Sequence, residues 1–487
     1  MSIIKKIPHI VLHITQTLEN AGFEAYLVGG CVRDLLYDQK PKDWDITTNA
    51  HPEKIQKLFP HTFYENTYGT VAVVNDDVSD ETLKIVEVTP YRIEGGYTDN
   101  RHPETVTFAE NLNDDLQRRD FTINAMALDI RGNIRDPYHG QDDIKNKTIR
   151  TVGKPTDRFS EDALRMLRAI RFCAELDFVM EKNTEEAILN NSQLLEKISK
   201  ERIRDEFIKI LMSDKPKRGL EIAHKVGILR FISLELEKGI GIDQGGIHTY
   251  DVWEHLLRSL QHTADRGWPL EIRLAALFHD IGKPVTRKKG ETKWTFYGHE
   301  VVGARMTQKI LTDLKFPKKI SEKVTKLVRW HMFFADTETL THSAVRRIVT
   351  RVGKENIWSL MDVRAADRIG TGRPKENPYR LRKYHAMIDE VLRDPISVGM
   401  LKVDGRKIME MTGEKPGPKI GFILRILLEE VLENPTLNTA EYLNTRAKEL
   451  QQLNEKELLD LDKKAKDKAA QEEQKEIGNI HKKHFIR

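Results

Sequence analysis

The chain has 487 residues, of which 39% are hydrophobic and 32% are charged. This length leaves room for about three domains of roughly 150 residues each. The composition predicts a soluble globular protein, because no segment approaches the roughly 20 consecutive apolar residues that span a membrane. The net charge of +4 is compatible with a nucleic-acid partner, but it does not by itself indicate one.

The cysteines and the N-terminus bear on where the protein works. Cys31 and Cys173 are the two cysteines, and neither lies in a spacing typical of a metal site. Two thiols in so long a chain fit a reducing compartment better than a disulfide scaffold. The N-terminal segment has no continuous apolar core and no small-residue cleavage site, so we do not expect a signal peptide. These observations predict a cytoplasmic protein.

Strands and helices are predicted to alternate in the N-terminal third of the chain. An apolar run over residues 24–30 ends in two glycines, which is typical of a strand that enters a tight turn. Residues 32–36 predict a helix, and the β-branched stretch 44–48 predicts a second strand. A helix with proline in its first turn and three further strands follow, over residues 52–59, 68–74, 84–89 and 104–108.

From residue 155 onward, the strand signal disappears and helices are predicted almost to the end. Ser160 is a good N-cap for a helix over residues 161–176. The segment 370–378 contains glycine and proline and predicts a linker. The charged tail 455–487 predicts a solvated helix or partial disorder. The expected plan is one mixed α/β head followed by a long helical body.

Two aspartates follow the glycine turn and predict a metal site. Asp43 and Asp45 are two residues apart on a predicted strand, so both side chains should lie on one face. Side-by-side carboxylates suit Mg²⁺, which binds one or two carboxylates together with substrate phosphates. Gly29 and Gly30 have no Cβ atoms, so their backbone can approach a triphosphate closely. Glu87, between two valines on a later strand, is the candidate for a third acid.

The combination of these motifs is more specific than any one of them. An Asp-x-Asp pair by itself is usually a solvated turn, whereas Leu27-Val-Gly-Gly-Cys-Val-Arg-Asp-Leu-Leu36 followed by Asp43-Trp-Asp-Ile-Thr-Thr48 is distinctive. These motifs resemble the bacterial class of tRNA nucleotidyltransferases (CCA-adding enzymes) and poly(A) polymerases, in the polymerase-β-like superfamily. The resemblance extends over nearly the whole chain and fades in the tail. It implies an α+β protein whose nucleotidyltransferase head carries a small β-sheet.

The run Arg118-Arg-Asp-Phe-Thr-Ile-Asn-Ala125 adds candidate nucleotide-binding residues. Guanidinium groups bind phosphates bidentately, so Arg118 and Arg119, together with Arg33, suit a triphosphate. Asp120 and Asn124 carry groups that can bind ribose hydroxyls. The resemblance implies the same role, because the family uses this run to bind the nucleotide.

A motif of the form Glu-Asp-x-x-Arg supplies candidate base-reading residues. Asp162 and Arg165 are three residues apart on the predicted helix and should share a face. Together they offer donors and acceptors to the Watson–Crick edge of C or A, which is how the family uses this motif. Arg168 and Arg171 continue an arginine at every third position and predict a positive stripe that attracts phosphates. Residues 201–206 resemble a further family motif that supports this helix.

Two other segments bear on which nucleotides are added. Residues 91–103 are polar, contain glycine and lie between two strands, so a mobile loop is predicted. In the family, the equivalent loop helps the site switch from CTP to ATP and is shortened in enzymes that add only C. Bacterial poly(A) polymerases commonly carry a Gly-Arg-Arg-Phe-like run after the aspartate pair, and the corresponding stretch 65–71 lacks it. The loop therefore argues against an enzyme that adds only C, and the missing run favours CCA addition over poly(A) synthesis.

A second metal site is predicted in the helical body. A His-Asp doublet with distant His and Asp residues supplies the nitrogen and oxygen ligands that suit a divalent metal. The candidate metal ligands are His255, His279, Asp280 and Asp367, with His299 and His331 as additional ligands. Their pattern resembles that of the HD phosphohydrolase superfamily. The resemblance implies a metal-dependent phosphohydrolase that acts on RNA 3′ ends, or an HD fold that is retained only as a scaffold.

The whole sequence predicts a CCA-adding nucleotidyltransferase that binds tRNA, CTP and ATP. Two Mg²⁺ ions are expected at Asp43 and Asp45, and a divalent metal at the HD site. Neither a membrane nor a DNA partner is expected. The alternatives are a bacterial poly(A) polymerase and an HD phosphohydrolase whose non-catalytic head binds RNA. The expected domains are a nucleotidyltransferase head (1–153), a helical neck with the nucleotide-template helix (154–230), an HD domain (231–375), a helical RNA-binding body (376–454) and a charged tail (455–487).

Overall fold

The computed structural model divides into two compact units. It describes residues 3–64, 69–76, 78–97, 103–245, 249–290, 294–332, 341–394, 397–454 and 456–464. The first unit contains Met1–Lys238 and Thr312–Phe316, and the second contains Gly239–Leu311 and Pro317–Arg487. These units are coarser than the five expected domains, whose boundaries stay predictions.

The first unit has a mixed head followed by helices, which confirms the predicted α+β fold class. Its strands are β1 (Ala25–Val28), β2 (Asp45–Thr48), β3 (Thr62–Tyr64), β4 (Val71–Val74), β5 (Ile85–Pro90), β6 (Arg92–Tyr97), β7 (Pro103–Phe108), β8 (Ala127–Leu128), β9 (Ile134–Arg135), β10 (Thr148–Ile149) and β11 (Val179–Met180). Its α-helices are α1 (His9–Asn20), α2 (Gly30–Leu36), α3 (Pro52–Leu58), α4 (Leu112–Gln117), α5 (Gly140–Lys145), α6 (Pro155–Glu161), α7 (Leu164–Leu176), α8 (Lys182–Asn191), α9 (Lys200–Met212), α10 (Pro216–Lys225) and α11 (Leu229–Glu237). Short 3₁₀ helices cover Ile3–Lys6, Glu81–Leu83, Thr122–Asn124 and Ser192–Lys197.

Seven strands form the sheet of the head, in the order β3-β4-β5-β2-β1-β8-β9. The neighbours β2 and β5 are parallel, whereas the other neighbouring pairs are antiparallel. Ile46 on β2 and Val86 and Val88 on β5 are fully buried, as expected for apolar residues of central strands. The central strands therefore provide rigid positions for the polar residues that alternate with this core.

Three details of the first unit differ from the predicted elements. Asp43 lies in the bend before β2, so only Asp45 is on the strand. Arg92–Tyr97 form β6, which pairs with β7 in an antiparallel hairpin, so a loop was the wrong prediction for these residues. Backbone hydrogen bonds to β7 determine the conformation of this segment. Its polar composition suggested a loop, but it is also compatible with a paired strand. β11 lies in the neck, which was expected to be all-helical, and pairs in parallel with β10 of the head.

The predicted helix over residues 161–176 is divided in two. α6 ends one residue before Asp162, which has extended backbone angles (φ −139°, ψ 105°) before α7 begins at Leu164. Ser160 lies inside α6 and donates to Thr156 O, so the predicted N-cap at Ser160 is wrong. Asp162 has the capping role instead, because its Oδ1 accepts from the Leu164 N–H at 3.0 Å.

The second unit is built almost entirely of helices. They are α12 (Val252–Asp265), α13 (Leu270–Phe278), α14 (Lys283–Thr286), α15 (His299–Asp313), α16 (Lys318–Trp330), α17 (His342–Val352), α18 (Ile357–Gly370), α19 (Tyr379–Val391), α20 (Gly405–Thr412), α21 (Pro418–Glu433) and α22 (Ala440–Gln451). The strands β12 (Lys288–Lys289) and β13 (Trp294–Thr295) form a small hairpin, and Val398–Met400 and Pro435–Leu437 are 3₁₀ helices. Within the described ranges, every helix is too short or too polar to cross a bilayer.

Three predictions concern segments that lie partly outside the described residues. The stretch 65–71, which lacks the poly(A) polymerase run, is described from residue 69 onward. The predicted loop 91–103 is described except for residues 98–102, and the tail 455–487 is described only over 456–464. The proposed roles of these segments therefore stay predictions from the sequence.

Helix α13 is the centre of the second unit. Every residue from Ile272 to Phe278 is buried, including Arg273, whose Nε donates to Trp268 O at 2.9 Å. α13 packs against α12, α16 and α18. The turn that follows it also meets α15 closely, since a Cβ atom at Gly282 would lie 2.3 Å from His299 O and 2.7 Å from Gly303 N. Glycine at this position lets the beginning of α15 approach the end of α13.

We expect Gly282→Ala to destabilise the second unit by about 1–3 kcal/mol, because the added methyl group would overlap backbone atoms of α15. Thermal unfolding followed by circular dichroism measures the change. Gly399→Ala is the control, since a Cβ atom there would have no described atom within 4 Å. The control should stay within about 0.5 kcal/mol of the parent. Identical melting of the two variants would contradict the close contact at Gly282.

Candidate active site and candidate metal centre

Asp45 and Glu87 lie side by side on the two central strands of the head. β2 and β5 run parallel, and their register pairs Asp45 with Glu87. Both residues line a cavity of about 240 Å³. The other residues that line it are Val28, Thr70, Thr89, Arg92, Arg118 and Arg119. The structure thus brings one predicted aspartate, the predicted third acid and the predicted arginine pair to the same cavity.

The glycine turn brings backbone close to the predicted aspartate pair. Gly29 has a φ of 78°, in the region that favours glycine. A Cβ atom there would lie 3.3 Å from Asp45 Oδ2 and 3.2 Å from Arg119 Nη1. A Cβ atom at Gly30 would lie 3.8 Å from Asp43 Oδ1. The absent side chains leave a space bordered by two carboxylates and a guanidinium group, which fits a divalent cation with bound phosphates.

A buried aspartate that was not among the predicted site residues holds the arginine pair. Asp115 on α4 has no exposed side-chain surface and accepts from Arg118 Nε at 2.9 Å and Arg119 Nη2 at 3.1 Å. Burial alone would raise the pKa of Asp115, but Arg119 and Arg118 bring it below its usual value. The sequence does contain a signal for this contact, because Asp115 precedes the arginines by three and four residues, the spacing of neighbours on a helix.

The other predicted nucleotide-binding residues form one connected network. Arg33 Nη1 donates to Asn124 Oδ1 at 2.9 Å, and Asn124 Nδ2 donates to Asp120 Oδ1 at 3.3 Å. Asp120 Oδ2 accepts from Arg168 Nε at 2.7 Å. Burial alone would raise the pKa of Asp120, but Arg168 and Arg165 lower it to about 2. Asp120 and Asn124 are thus held by protein contacts, and their contact with ribose stays a prediction.

Asp162 and Arg165 do not share a face of one continuous helix, because the chain breaks between α6 and α7. That part of the prediction is wrong. Asp162 Oδ2 accepts from Arg202 Nη2 at 2.7 Å, so α9 supports this junction, as its motif implied. Arg165 Nη1 donates to Glu161 Oε2 at 2.5 Å, and its Nη2 donates to Arg118 O at 3.1 Å. The two residues meet at one helix junction, where different partners hold them.

The arginines of α7 do not form a solvated positive stripe. Arg165 and Arg171 are only 9% and 8% exposed. Arg168 pairs with Asp120, and Arg171 Nη1 lies 3.3 Å from Glu206 Oε1. A buried guanidinium group is strongly unfavourable without such a partner. The predicted stripe is therefore wrong, and a contact of Arg168 or Arg171 with the nucleotide stays a prediction.

The predicted ligands of the second metal site meet in the second unit. His255 lies on α12 and Asp367 on α18, while His279 and Asp280 directly follow α13. His255 Nε2 lies 2.9 Å from His279 Nε2 and 3.4 Å from Asp367 Oδ1. Asp280 Oδ2 lies 3.2 Å from His255 Nε2 and 3.3 Å from His279 Nε2.

Asp280 links this group to a second pair of histidines. Its Oδ1 lies 3.1 Å from Nε2 of His299, the first residue of α15, and 3.5 Å from Nε2 of His331, which follows α16. Among the described residues, the ligand atoms within each of two sets lie within 4.8 Å of one another. One set is His255, His279, Asp280 and Asp367, and the other is Asp280, His299 and His331. The carboxylates of Asp43, Asp45 and Glu87 do not form such a set in the described chain.

Backbone contacts orient three of these rings toward the centre. Nδ1 of His279, His299 and His331 lies 2.8, 2.8 and 2.7 Å from the carbonyl oxygen three residues earlier. A ring that donates from Nδ1 keeps the lone pair of Nε2 for a metal. Nε2 of His299 and of His331 is buried and has no hydrogen-bond partner among the described residues. This donor set fits a divalent metal with mixed nitrogen and oxygen ligands.

The charges at this centre agree with that fit. Burial lowers the pKa of His331 to about 4, so its ring is neutral at neutral pH. Burial alone would raise the pKa of Asp280, but Lys283 and His279 hold it well below its usual value. Burial alone would lower the pKa of His279, yet Asp280 and Asp367 raise it to about 10. The buried carboxylates are therefore ionised, and Lys283, Arg364 and a proton on His279 compensate their charge; a divalent metal would replace that proton.

Family models match three consecutive parts of the chain. The model described as "Poly A polymerase head domain" matches residues 25–150, and the model described as "HD domain" matches residues 246–372. Between them, "Probable RNA and SrmB- binding site of polymerase A" matches residues 177–239. These matches and the acids of the small sheet define a nucleotidyltransferase with an attached HD domain.

Individual relatives show to which of the nucleotidyltransferases this chain is similar. A CCA-adding enzyme of Lactobacillus helveticus is 33% identical over 454 residues, which cover 92% of this chain and 99% of that enzyme. A CCA-adding enzyme of Geobacillus sp. (strain WCH70) is 46% identical over 228 residues, or 47% of this chain and 55% of that enzyme. The crystal structure of the Bacillus stearothermophilus CCA-adding enzyme in complex with CTP is 30% identical, with a TM-score of 0.69, and covers 91% of this chain and 98% of that one. The chain therefore belongs to the CCA-adding enzymes.

We expect Asp120→Asn to lower the free energy of unfolding by about 2 kcal/mol at neutral pH, because the folded state lowers the pKa of this carboxyl group to about 2. A lowered pKa stabilises the fold above the unfolded-state value, and that contribution is lost as the pH falls through the folded-state value. The difference between parent and variant should therefore shrink between about pH 4 and pH 2. Denaturant unfolding across this range measures it, and a constant difference would contradict the ion pair with Arg168.

Proposed function

We propose that this chain adds C, C and A in turn to the 3′ end of tRNA, using CTP and ATP and releasing pyrophosphate. The observation that carries the proposal is the cavity in which Asp45 and Glu87 lie with Arg118 and Arg119, next to the turn at Gly29. Carboxylates and arginines around one small space suit a nucleoside triphosphate and its cations. Membership of the CCA-adding enzymes supports this choice of reaction.

In this reaction the 3′-hydroxyl group of the RNA attacks the α-phosphate of the nucleotide, and pyrophosphate leaves. Asp43 and Asp45 would hold two Mg²⁺ ions, with Glu87 as the third acid. Bound Mg²⁺ supplies a Lewis acid that lowers the pKa of the attacking hydroxyl group and stabilises the charge that develops on the phosphate. Gly29 and Gly30 admit the triphosphate to these carboxylates, since a side chain at either position would fill the intervening space.

The basic and polar residues around the cavity would hold the nucleotide. Arg118 and Arg119 bind the oxygens of the triphosphate and balance the charge of the leaving pyrophosphate. Arg33, Asn124 and Asp120 extend this surface as a hydrogen-bonded network, in which Asn124 and Asp120 would bind the ribose hydroxyl groups. A network whose members already bind one another needs little rearrangement when the nucleotide arrives.

Asp162 and Arg165 would select the base without a nucleic-acid template. Arg202 holds Asp162 Oδ2, and Glu161 holds Arg165 Nη1. Side chains that are held before the nucleotide binds lose less conformational entropy on binding, which favours discrimination between bases. Arg168 extends this contact to the ribose end of the site through its ion pair with Asp120.

We expect Asp43→Asn and Asp45→Asn each to reduce nucleotide transfer by roughly a hundredfold to a thousandfold, because each removes a carboxylate that would hold a cation. The measurement is gel-resolved extension of tRNA transcripts that end before the CCA, after C and after CC, with CTP, ATP or both plus Mg²⁺. Asp38→Asn is the matched control, since Asp38 is an exposed aspartate of the same unit that pairs with Lys6.

The pattern of extension also separates the alternatives. Extension that stops at CCA on all three transcripts supports the proposal. Long A-tails on every transcript would indicate a poly(A) polymerase, and no extension by the parent protein would overturn nucleotide transfer. Undiminished transfer by the Asp43 and Asp45 variants would contradict the proposed role of these aspartates as cation ligands.

We also propose a metal-dependent phosphohydrolase activity on RNA 3′ ends at the second site. The specific observation in its favour is the set of buried imidazole nitrogens that converge on Asp280. A divalent metal bound there supplies an activated water molecule as the nucleophile. Lys283 Nζ, 2.5 Å from Asp280 Oδ2, orients this carboxylate and adds positive charge for a phosphate group. RNA that ends in a 2′,3′-cyclic phosphate or a 3′-phosphate is the proposed substrate.

His255→Ala should remove bound divalent metal and this hydrolysis, while nucleotide transfer continues. The measurements are metal content per chain, release of the terminal phosphate from RNA, and extension of tRNA. His262→Ala is the matched control, because His262 lies two turns further along α12 and is not part of the ligand cluster. Equal metal content in the two variants would contradict the proposed ligands, and a metal-loaded parent that hydrolyses no RNA end would make the HD fold a scaffold.

We propose a cytoplasmic location for the protein. Cys31 and Cys173 are buried and form no disulfide. Burial raises the pKa of each thiol to about 12, which keeps both in the unreactive protonated form. Free thiols of this kind are typical of proteins in a reducing compartment.

A further inference from the structure

Asp115 lies behind the arginine pair of the transfer site. Its carboxylate has no exposed surface, and Asp115 does not line the cavity. Arg118 and Arg119 do line the cavity, and their side chains are 16% and 17% exposed. The acid is therefore separated from the cavity by the two side chains that it binds.

The two oxygens of Asp115 are divided between the two arginines. Oδ1 accepts from Arg118 Nε at 2.9 Å and from its Nη2 at 2.5 Å. Oδ2 accepts from Arg119 Nη2 at 3.1 Å, and Thr47 Oγ1 lies 3.3 Å from the same oxygen. Thr47 is two residues after Asp45 on β2, so both side chains lie on one face of the strand. The carboxylate thus connects the arginines to the strand that carries the predicted metal ligand.

The guanidinium groups of this cluster are donors of the kind that bind phosphate oxygens. Burial alone would raise the pKa of Asp115, but the arginines lower it, so the carboxylate is ionised. At the cavity and directly behind it, the three carboxyl groups of Asp45, Glu87 and Asp115 accompany the three guanidinium groups of Arg92, Arg118 and Arg119. Arg119 also has a buried Nε without a hydrogen-bond partner among the described residues. Unsatisfied buried donors are rare in folded proteins and call for a functional explanation.

The orientation of Arg119 depends on this acid. Arg119 Nη2 is held by Asp115, while its Nη1 lies 3.2 Å from the position that a Cβ atom would take at Gly29. Asp45 Oδ2 lies 3.3 Å from that same position. A guanidinium group is planar, so anchoring one nitrogen to a fixed carboxylate restricts where the others can point. Asp115 therefore directs Arg119 toward the space between the glycine turn and Asp45.

We propose that Asp115 is a positioning residue for nucleotide transfer, which aims Arg118 and Arg119 at the triphosphate without touching the substrate. The inference rests on the proposed transfer reaction and adds the group that sets the geometry of its arginines. Loss of the carboxylate leaves two guanidinium groups that repel each other and can turn away from the cavity. Binding of the nucleotide should weaken, whereas binding of tRNA should not change.

The test compares Asp115→Asn with Asp143→Asn in the full-length protein. Asp143 is a matched control, because it is a buried aspartate of the same unit with similar contacts. It accepts from Arg150 Nε at 3.1 Å and from Thr122 Oγ1 at 2.6 Å, and it does not line the cavity. Both substitutions keep the size of the side chain and remove one buried negative charge.

Steady-state kinetics with CTP or ATP as the varied substrate provide the first measurement. Asp115→Asn should raise the KM for the nucleotide roughly tenfold to a hundredfold, because the arginines are misplaced. Inhibition by inorganic pyrophosphate should weaken in the same proportion, and the KM for tRNA should stay unchanged. Asp143→Asn should leave all three constants at the parent values, even where it lowers the melting temperature as much.

Parent-like constants for Asp115→Asn, or equal kinetic losses in the two asparagine variants, would overturn the proposal. If Asp115→Asn does not fold, Asp115→Glu carries the test, since it keeps the charge but moves the carboxylate by one methylene group. The glutamate variant should raise the KM for the nucleotide at an unchanged KM for tRNA, and parent-like constants would overturn the proposal. A parent protein that transfers no nucleotide would instead contradict the proposed function, so the two failures are distinguishable.

Discussion

The parallel pairing of β2 with β5 is the contact on which the transfer site depends. It places Asp45 beside Glu87, so two carboxylates share one small cavity near the centre of the sheet. Neighbouring carboxylates repel each other unless positive charge compensates them. Arg119 lies at the border of this space and supplies positive charge. The turn at Gly29 has no side chain, so the space itself stays open to a cation. The arrangement is that of a site for a triphosphate and its cations.

The arginines of the first unit show how ion pairs compensate the buried charges near this site. Acids pair with these guanidinium groups, some from nearby in the chain, as Asp115 does with Arg118 and Arg119, and others from distant parts of it. Asp120 pairs with Arg168, and Glu206 pairs with Arg171. The ion pair of Arg168 with Asp120 joins α7 of the neck to the nucleotide-binding run of the head, whereas Glu206 lies on α9. Arg165 adds a second connection, since it donates to the carbonyl oxygen of the head's Arg118. These contacts therefore join Arg165 and Arg168 to the predicted nucleotide-binding run.

In the second unit, imidazole rings surround the buried acids, where the first unit uses mainly arginines. Asp280 and Asp367 are buried among imidazole rings, and backbone carbonyls orient His279, His299 and His331 so that their Nε2 atoms point at the carboxylates. In the first unit, arginines of the chain itself compensate the acids. In the second, Lys283 and Arg364 pair with Asp280 and Asp367, and histidines provide the other contacts of these carboxylates. Within each of the two candidate ligand sets, which share Asp280, all ligand atoms lie within 4.8 Å of one another, so each set could hold a metal ion.

The sequence by itself determined the features that depend on residue type and short spacing. The glycine turn before α2, the strand that carries Asp45 and the His-Asp doublet after α13 could each be predicted, because local backbone preference and ligand chemistry are properties of neighbouring residues. The α+β plan followed from the same local patterns.

Only the tertiary structure decided the contacts that join distant parts of the chain. The helix break at Asp162 places its carboxylate against Arg202, and the apparent stripe on α7 consists of arginines that are each paired with an acid. Asp115 gains its role because the arginines that it holds also border a cavity formed by distant strands. Helical spacing predicts which side chains can meet on one helix, but burial and long-range ion pairing determine which charges are compensated, and those depend on how the whole chain packs.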